Sequence, residues 1–170
     1  MLSEAAERKD NRVSPDEDME IVDLYLSLGS NQGDRALNME NALSLLNIEL
    51  KVPYKAVSRF IETDPWGFDS KEKFLNAAVR YELSLPKGYN PEAEALMILA
   101  ICKDIERRLG RTGKPEYDKD GHRIYHSRPI DIDILLFGEN RIDCAELTIP
   151  HKLMYERDFV MIPLKEILDR

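Results

Sequence analysis

The chain is poor in cysteine and has no long apolar run, and these two features argue against a secreted, disulfide-linked protein and against a membrane-spanning one. Its 170 residues include two cysteines, Cys102 and Cys144, far apart and in no metal-binding or redox spacing. We therefore expect free thiols in a reducing cytosol. No apolar run reaches the roughly 18 residues of a membrane-spanning helix, and residues 1–20 lack the apolar stretch of a secretory signal. These features predict a cytoplasmic protein without membrane association.

Two familiar phosphate-binding signatures are also missing. The stretch "GRTGKP", residues 110–115, lacks the G-x-x-x-x-G-K-[ST] spacing of a phosphate-binding loop. No stretch matches the signature of a protein kinase. If the protein binds phosphates, side-chain cations and metal ions must therefore provide most of the binding.

The charge is negative overall but unevenly distributed. Of the net charge of −8, residues 1–23 contribute −5, from eight acidic and three basic side chains. Residues 107–128 have the opposite balance, with seven Lys/Arg against three Asp/Glu, a local +4. The negative net charge of the whole chain argues against nucleic-acid binding. The basic segment is either a site for a small anion or a solvated loop.

The periodicity of the apolar residues predicts one α+β domain over residues 21–170, after a disordered acidic tail over residues 1–20. Predicted strands are Asp23–Gly29, Leu50–Glu62, Phe74–Leu83 and Ile130–Phe137. Predicted helices are Arg35–Leu46, capped by Asp34, and Asn90–Gly110, capped by Asn90. The order strand, helix, strand, strand, helix, strand is that of ferredoxin-like split βαβ folds, with an antiparallel sheet and flanking helices.

The predicted strand "RPIDIDILLFG", residues 128–138, carries two carboxylates in an apolar setting. Residues two apart on a strand share a face, so Asp131 and Asp133 project together, about 6.6–6.8 Å apart at Cα. Their repulsion would raise at least one pKa, and a divalent cation would remove it. Two magnesium ions roughly 3.5–4 Å apart would fit between such carboxylates. The alternative is an exposed strand with polar residues outward; Arg128 and the basic segment favour a metal–nucleotide site.

With three further stretches, this strand makes the chain resemble the 6-hydroxymethyl-7,8-dihydropterin pyrophosphokinase family of folate biosynthesis. The others are "YLSLGSNQGD", "ETDPWG…KFLNAAV" and "LTIPHKLMYERDFVMIPLKEI", and the match runs in order from about Leu24 to Leu168. The resemblance implies a ferredoxin-like core that uses two magnesium ions. It also implies transfer of the terminal pyrophosphate of ATP to the hydroxymethyl oxygen of the pterin, with release of AMP.

The same resemblance assigns roles to individual residues. Asp131 and Asp133 would hold the metal ions, and Arg111 and Arg128 would meet the triphosphate or stabilise developing charge. The rest of the ATP site would comprise Glu106, Lys114, Ile134, Thr148, His151 and Arg157. The pterin site would comprise Asn31, Thr63, Asp64, Trp66, Phe74, Asn76 and Phe159. Two rings can stack on the faces of a flat pterin, and an asparagine amide can pair with its edge.

Several positions depart from the family's pattern without touching the carboxylates. Gly113 stands where a second loop arginine is common, and Lys114 is the nearest substitute. The other departures are Tyr125 for a tryptophan, Phe74 for a tyrosine, Asp64 for a proline and Glu146 for a basic residue.

Other functions remain open at this point. A different two-metal phosphotransferase or nucleotide hydrolase would release ADP or phosphate, and a non-catalytic ferredoxin-like module would bind ATP without turnover. Phe74 and Phe159 could also be ordinary core aromatics. We expect ATP and the pterin as binding partners and no obligate protein partner.

Overall fold

The structure, a computed structural model, describes residues 16–65, 72–111, 116–124 and 127–168. The strands are β1 (Met19–Ser30), β2 (Ala56–Val57), β3 (Ile61–Thr63), β4 (Phe74–Pro86), β5 (Glu116–Tyr117), β6 (Arg123–Ile124), β7 (Asp131–Phe137), β8 (Ile142–Asp143) and β9 (Thr148–Ile149). The helices are α1 (Arg35–Glu49), α2 (Pro91–Arg108) and α3 (Asp158–Ile167), with a 3-10 turn at Met154–Glu156 before α3. None of the helices in the described ranges combines the length and apolar character needed to cross a membrane.

An antiparallel sheet in the order β2-β4-β1-β7 organises the molecule, and β3 pairs with β4 beyond this path. β1 and β4 are paired along their whole length, from Met19 opposite Pro86 to Ser30 opposite Leu75. The pairs β5–β6 and β8–β9 form separate two-stranded ribbons. The predicted α+β class, an antiparallel sheet with flanking helices, is confirmed.

Both helix starts follow from the predicted caps. The side chain of Asp34 accepts a hydrogen bond from the Leu37 backbone N–H, at 3.1 Å. Asn90 does the same for the Ala93 N–H, at 3.1 Å. Each cap satisfies one of the donors that a first helical turn leaves without a partner. Gly110, just beyond α2, has a φ of 98°, which a glycine adopts without strain.

Two predicted boundaries are corrected by the structure. The predicted strand Leu50–Glu62 is wrong, because α1 continues to Glu49 and a turn follows in which Lys51 has a φ of 59°. Apolar residues of that stretch such as Leu50 and Val52 pack against the main core, and of the described residues in the stretch only those of β2 and β3 join the sheet. Met19 and Glu20, assigned to the tail from composition, belong to β1 because β4 pairs with them.

The two faces of the sheet are covered unequally. Odd-numbered residues of β4 and even-numbered residues of β1 bury their side chains in the main core with α1 and α2. From β7, Ile132, Ile134 and, after a shift of register near Leu135, Phe137 join the same core. On the opposite face, α3 packs only over one end, against residues such as Tyr25, Ala78 and Leu135. The uncovered end of that face is where the polar residues of the same three strands project.

Candidate active site

The floor of a cleft is formed by alternate residues of three neighbouring strands. On the central strand β1, Gly29 lies opposite Asn76 of β4 on one side and Asp131 of β7 on the other. One row along, Ser27 lies opposite Asp133. Both of these β1 residues, Ser27 and Gly29, have small or no side chains, which leaves space above the sheet for a ligand. A Cβ atom at Gly29 would lie 2.9 Å from the Asn76 Oδ1 atom, too close for a side chain there without displacing the amide.

The walls of the cleft come from β3, the first residue of β4, β6, several loops and the start of α3. Besides the floor residues, the lining comprises Thr63, Asp64, Phe74, Arg123, Arg128, His151, Lys152, Leu153, Arg157 and Phe159. Most of the residues that the resemblance selects therefore meet in one place, although they are spread over nearly a hundred positions of the chain. Carboxylates and cations lie toward β7, and the aromatic and amide groups of the predicted pterin site lie toward β4.

Some predicted residues lie elsewhere. Glu106 and Arg111 adjoin the carboxylates from the α2 side, through the contacts described below. Ile134 is buried on the helix-covered face of the sheet, and the Thr148 hydroxyl donates to Asp143 in the β8–β9 ribbon. Asn31 is fully buried. Trp66 and Lys114 lie outside the described residues.

Asp131 is held by two guanidinium groups. Its Oδ1 atom lies 2.7 Å from Arg111 Nη1 and 3.3 Å from Arg128 Nη1. Burial would raise the pKa of Asp131, but Arg128 and Arg111 outweigh burial and hold the pKa below its ordinary value. Asp131 is therefore an ionised carboxylate whose charge is already balanced by the protein.

Asp133 has the opposite electrostatic setting. Burial and the negative charges of Asp131 and Glu106 raise its pKa to about 7, against the weaker opposing effect of Arg157. The two aspartates thus differ although they share a face of β7. The repulsion predicted from their spacing is present, and it falls on Asp133.

Glu106 connects α2 to the carboxylate pair. Its Oε2 atom accepts from Arg111 at 2.6 Å, and its Oε1 atom accepts from the backbone N–H of Ile132 at 3.1 Å. Burial and the nearby Asp131 raise the pKa of Glu106, and Arg111 opposes that rise. Glu106 therefore orients Arg111 and the backbone between the two aspartates at the same time.

His151 and Arg157 add two further cationic or polar groups to the cleft, and the His151 backbone N–H donates to the Leu135 carbonyl of β7 at 3.0 Å. The Nδ1 atom of His151 accepts the Leu153 backbone N–H at 3.3 Å, so the neutral ring carries its proton on Nε2 and can donate from that atom. Burial and Arg157 lower the pKa of His151. The Arg157 guanidinium lies 5.7 Å from the centre of the Phe159 ring, which links the cationic side to the aromatic side.

The predicted pterin residues meet around the β3–β4 pair. Thr63 lies opposite Phe74 in the register, and the Asn76 amide donates to the Thr63 hydroxyl at 2.5 Å. Asn76 is buried, and this bond supplies the partner that a buried amide requires. Phe74 and Phe159 line the same cleft from different elements.

Sequence reasoning missed several lining residues: Ser27, Gly29, Arg123, Lys152 and Leu153. Arg123 belongs to the basic segment that was recognised only as a charge excess. Ser27 and Gly29 give no signal of their own, since their position depends on the pairing of β1 with both neighbours.

A separate acidic group lies on the surface. Asp118, Asp120 and His122 cluster in the β5–β6 turn, and all three are exposed. The Oδ1 atom of Asp118 already accepts the backbone N–H groups of Asp120 and His122, which explains the cluster as a turn. This group is distinct from the carboxylate pair in the cleft.

Comparison with known proteins gives one consistent result. The family model described as 7,8-dihydro-6-hydroxymethylpterin-pyrophosphokinase matches residues 25–169. A 2-amino-4-hydroxy-6-hydroxymethyldihydropteridine pyrophosphokinase of Porphyromonas gingivalis is 43% identical over 145 residues, which is 85% of this chain and 89% of that protein. The Bacillus subtilis protein of the same name is 39% identical, over 84% of this chain and 76% of its own. A mitochondrial folate synthesis bifunctional protein of Pisum sativum is 38% identical over 89% of this chain and 26% of its own length.

Proposed function

The chain belongs to the 7,8-dihydro-6-hydroxymethylpterin-pyrophosphokinase family, and on that premise we propose that its cleft transfers pyrophosphate from ATP to 6-hydroxymethyl-7,8-dihydropterin in folate biosynthesis. The observation that carries the proposal is the division of the cleft. Its β7 side combines a carboxylate pair with arginines, and its β4 side combines two aromatic rings with a buried amide. A phosphate donor and a flat heterocyclic acceptor can therefore lie side by side.

The triphosphate is proposed to lie against the cations. Arg111 and Arg128 both contact Asp131, and Arg128 also lines the cleft. His151 and Arg157 would also contact phosphate oxygens. Arginine suits this role because its planar fork can donate two hydrogen bonds to one phosphate group.

The residues present fit magnesium. Asp131 and Asp133 offer hard oxygen ligands on one face of β7, and the raised pKa of Asp133 reports a charge conflict that a divalent cation relieves. We propose that this pair holds two ions. Bound magnesium would supply positive charge to the phosphate oxygens while retaining several of its waters.

The pterin is proposed to bind between Phe74 and Phe159, with its amide-like edge at Asn76. The Asn76 amide is already fixed by Thr63, so it would offer its remaining groups without reorganising. Aromatic stacking on both faces would hold the ring plane, and Asp64 would lie at its border. The hydroxymethyl group would then face the carboxylate pair.

The reaction proposed is an in-line displacement at the β-phosphorus of ATP. The hydroxymethyl oxygen forms a bond to that phosphorus, the bond from the phosphorus to the oxygen bridging to the α-phosphate breaks, and AMP leaves as the hydroxyl proton is released. Catalysis rests on positioning of the two substrates and on charge stabilisation by the arginines. Arg111 and Arg128 stabilise charge that develops on the transferred group.

The direct test is product analysis. The protein is incubated with ATP, magnesium and hydroxymethyl-dihydropterin, and the nucleotides are separated. AMP formed in equal amount to the pterin diphosphate is expected, and chelation of magnesium should stop it. Release of ADP or inorganic phosphate instead would contradict the proposal and favour another phosphotransferase or a hydrolase.

A cytoplasmic location and the lack of an obligate protein partner are also proposed. Both described cysteines, Cys102 and Cys144, are free thiols, which is compatible with a reducing compartment. Activity of the purified chain alone would support the second point.

A further inference from the structure

Asn31 ties the end of β1 to the segment that precedes β7. Its side-chain Oδ1 atom accepts the Arg128 backbone N–H at 2.7 Å, and its own backbone N–H donates to the Arg128 carbonyl at 3.1 Å. Its Nδ2 atom also donates to the Ser127 hydroxyl at 3.1 Å. Asn31 is completely buried, so these bonds replace any contact with water.

The need for this side chain follows from the strand register. The β1–β7 ladder pairs Gly29 with Asp131, so Asn31 would next lie opposite Pro129. Proline has no N–H and cannot extend the ladder. The side-chain carbonyl of Asn31 instead accepts the N–H of Arg128, one residue earlier, beside the bond from the Asn31 backbone N–H to the Arg128 carbonyl.

The consequence falls on Arg128. Its side chain is only 11% exposed and lies 3.3 Å from Asp131, inside the cleft. A backbone held on both its N–H and its carbonyl fixes the origin of this side chain and limits where the guanidinium can lie. We propose that Asn31 is a positioning residue: it holds the Arg128 backbone so that the guanidinium can contact the transferred phosphate. This inference rests on the proposed function, because it takes Arg128 to act on the triphosphate.

The sequence resemblance assigned Asn31 to the pterin site, and the two roles differ in what they predict. A pterin contact would weaken pterin binding when it is removed. A positioning residue for Arg128 would slow turnover while leaving pterin affinity in the absence of nucleotide unchanged. It would also lose its effect once Arg128 is gone.

A double-mutant cycle tests the inference. Turnover by AMP formation, pterin affinity without nucleotide and melting temperature are measured for wild type, Asn31→Ala, Arg128→Ala and the double variant. Asn31→Ala should lower kcat by about 10- to 100-fold, as for other residues that orient a functional group. In the Arg128→Ala background the same change should alter kcat by less than about twofold. A change of that size is no larger than the usual deviation from additivity, so it counts as no effect.

Asn47 provides a matched control. Its Oδ1 atom accepts the Tyr81 hydroxyl at 2.8 Å and the Tyr54 backbone N–H at 3.2 Å, away from the cleft. Asn47→Ala should lower the melting temperature and leave kcat unchanged. If Asn31→Ala does not fold, Asn31→Ser enters the same cycle, because it keeps a polar side chain at this buried position and removes the carbonyl oxygen that accepts the Arg128 N–H.

The outcomes separate the two proposals. Equal losses from the Asn31 variant in both backgrounds, or unchanged kcat in the wild-type background, would overturn the role of Asn31 alone. Weaker pterin binding without nucleotide would overturn it in favour of a pterin contact. A wild-type protein that forms no AMP would instead contradict the proposed function.

Discussion

At the scale of single residues, the protein balances the charge of one cleft aspartate but not that of the other. Arg111 and Arg128 both bind Asp131, while Asp133 is left beside two other carboxylates and has a raised pKa. In the proposed reaction, phosphate would become the partner of the arginines and magnesium the partner of the aspartates. The two aspartates should therefore respond differently when each is neutralised.

Asp131→Asn and Asp133→Asn are both expected to lose most of their turnover but to change stability in opposite directions. The pKa of Asp133 in the folded protein, about 7, lies above its ordinary value of 3.8, so ionising it opposes folding. This penalty is complete above that pKa and fades as the pH falls toward the ordinary value. Asp133→Asn should raise the melting temperature of metal-free protein at about pH 8, with a smaller gain at about pH 5.

Asp131→Asn removes the partner of two arginines and should lower the melting temperature under the same conditions. Thermal melts with a chelator, and AMP formation with magnesium, measure the two effects. The exposed Asp143, in the β8–β9 ribbon, offers a control whose change to Asn should affect neither. Shifts of the same sign for both cleft aspartates would contradict the electrostatic description of the pair.

Phe74 and Phe159 are expected to bind the pterin from opposite faces. Changing either to alanine should weaken pterin binding strongly, and changing either to leucine should retain part of the affinity, since stacking contributes roughly 0.5–1.5 kcal/mol beyond buried area. ATP affinity without pterin should change little. Calorimetric titration with each ligand measures this difference.

Phe137 is the matched control for the aromatic pair. Its ring is fully buried in the main core and contacts Tyr89 edge-on at 5.9 Å. Phe137→Leu should lower the melting temperature without a specific loss of pterin affinity. If the Phe74 and Phe159 variants behave like Phe137→Leu, both rings are core residues and the stacking proposal is wrong.

At the scale of elements, α1 is joined to the short edge strand β3, which borders the proposed pterin site. Arg35, in the first turn of α1, donates to the Lys73 carbonyl at 2.8 Å and to the Glu62 carboxylate at 2.7 Å. These partners lie at the two ends of the connection between β3 and β4. Arg35 therefore holds together the strands that carry Thr63 and Phe74.

Arg35→Ala should raise the KM for the pterin more than the KM for ATP. The increase should be about tenfold, or about 1.4 kcal/mol, which lies within the roughly 1–3 kcal/mol that two such partly exposed hydrogen bonds contribute together. Arg108→Ala removes a comparable contact, at 3.0 Å to Glu49 between α2 and α1, and should change neither KM. Equal changes in both KM values for Arg35→Ala would show that the contact is merely structural.

At the scale of the whole molecule, the N-terminal end of β1 lies far from the cleft. Met19 and Gly29 are ten residues apart on one strand, which corresponds to about 33 Å. Deleting residues 1–15 should leave turnover and melting temperature unchanged. Deleting residues 1–20 should lower the melting temperature, because it removes the pairing with Pro86 and the bond from the Lys87 N–H to the Asp18 carbonyl, but it should leave both KM values intact. A loss of turnover on the shorter deletion would show that the tail acts on the cleft.

The sequence by itself determined the features that depend on neighbouring residues. Helix starts follow from a capping side chain and the N–H three positions later, so Asp34 and Asn90 could be recognised directly. The alternation of β7 likewise put Asp131 and Asp133 on one face before any partner strand was known. The order of elements then indicated the fold class, and the resemblance supplied residue roles that single positions could not.

Tertiary structure alone decided the features that depend on distant partners. Gly29 became the centre of the cleft floor because β4 and β7 pair on either side of it. The start of β1 at Met19 depends on pairing with β4. The structure of residues Leu50–Glu62 depends on where α1 ends and on packing against the core. Neither can be read from the local amino-acid composition. Asn31 could be recognised as a partner of Arg128 only once the two residues, 97 positions apart, had been brought together. Hydrogen bonds across the sheet have no signature in local sequence, because their geometry exists only after the strands have paired.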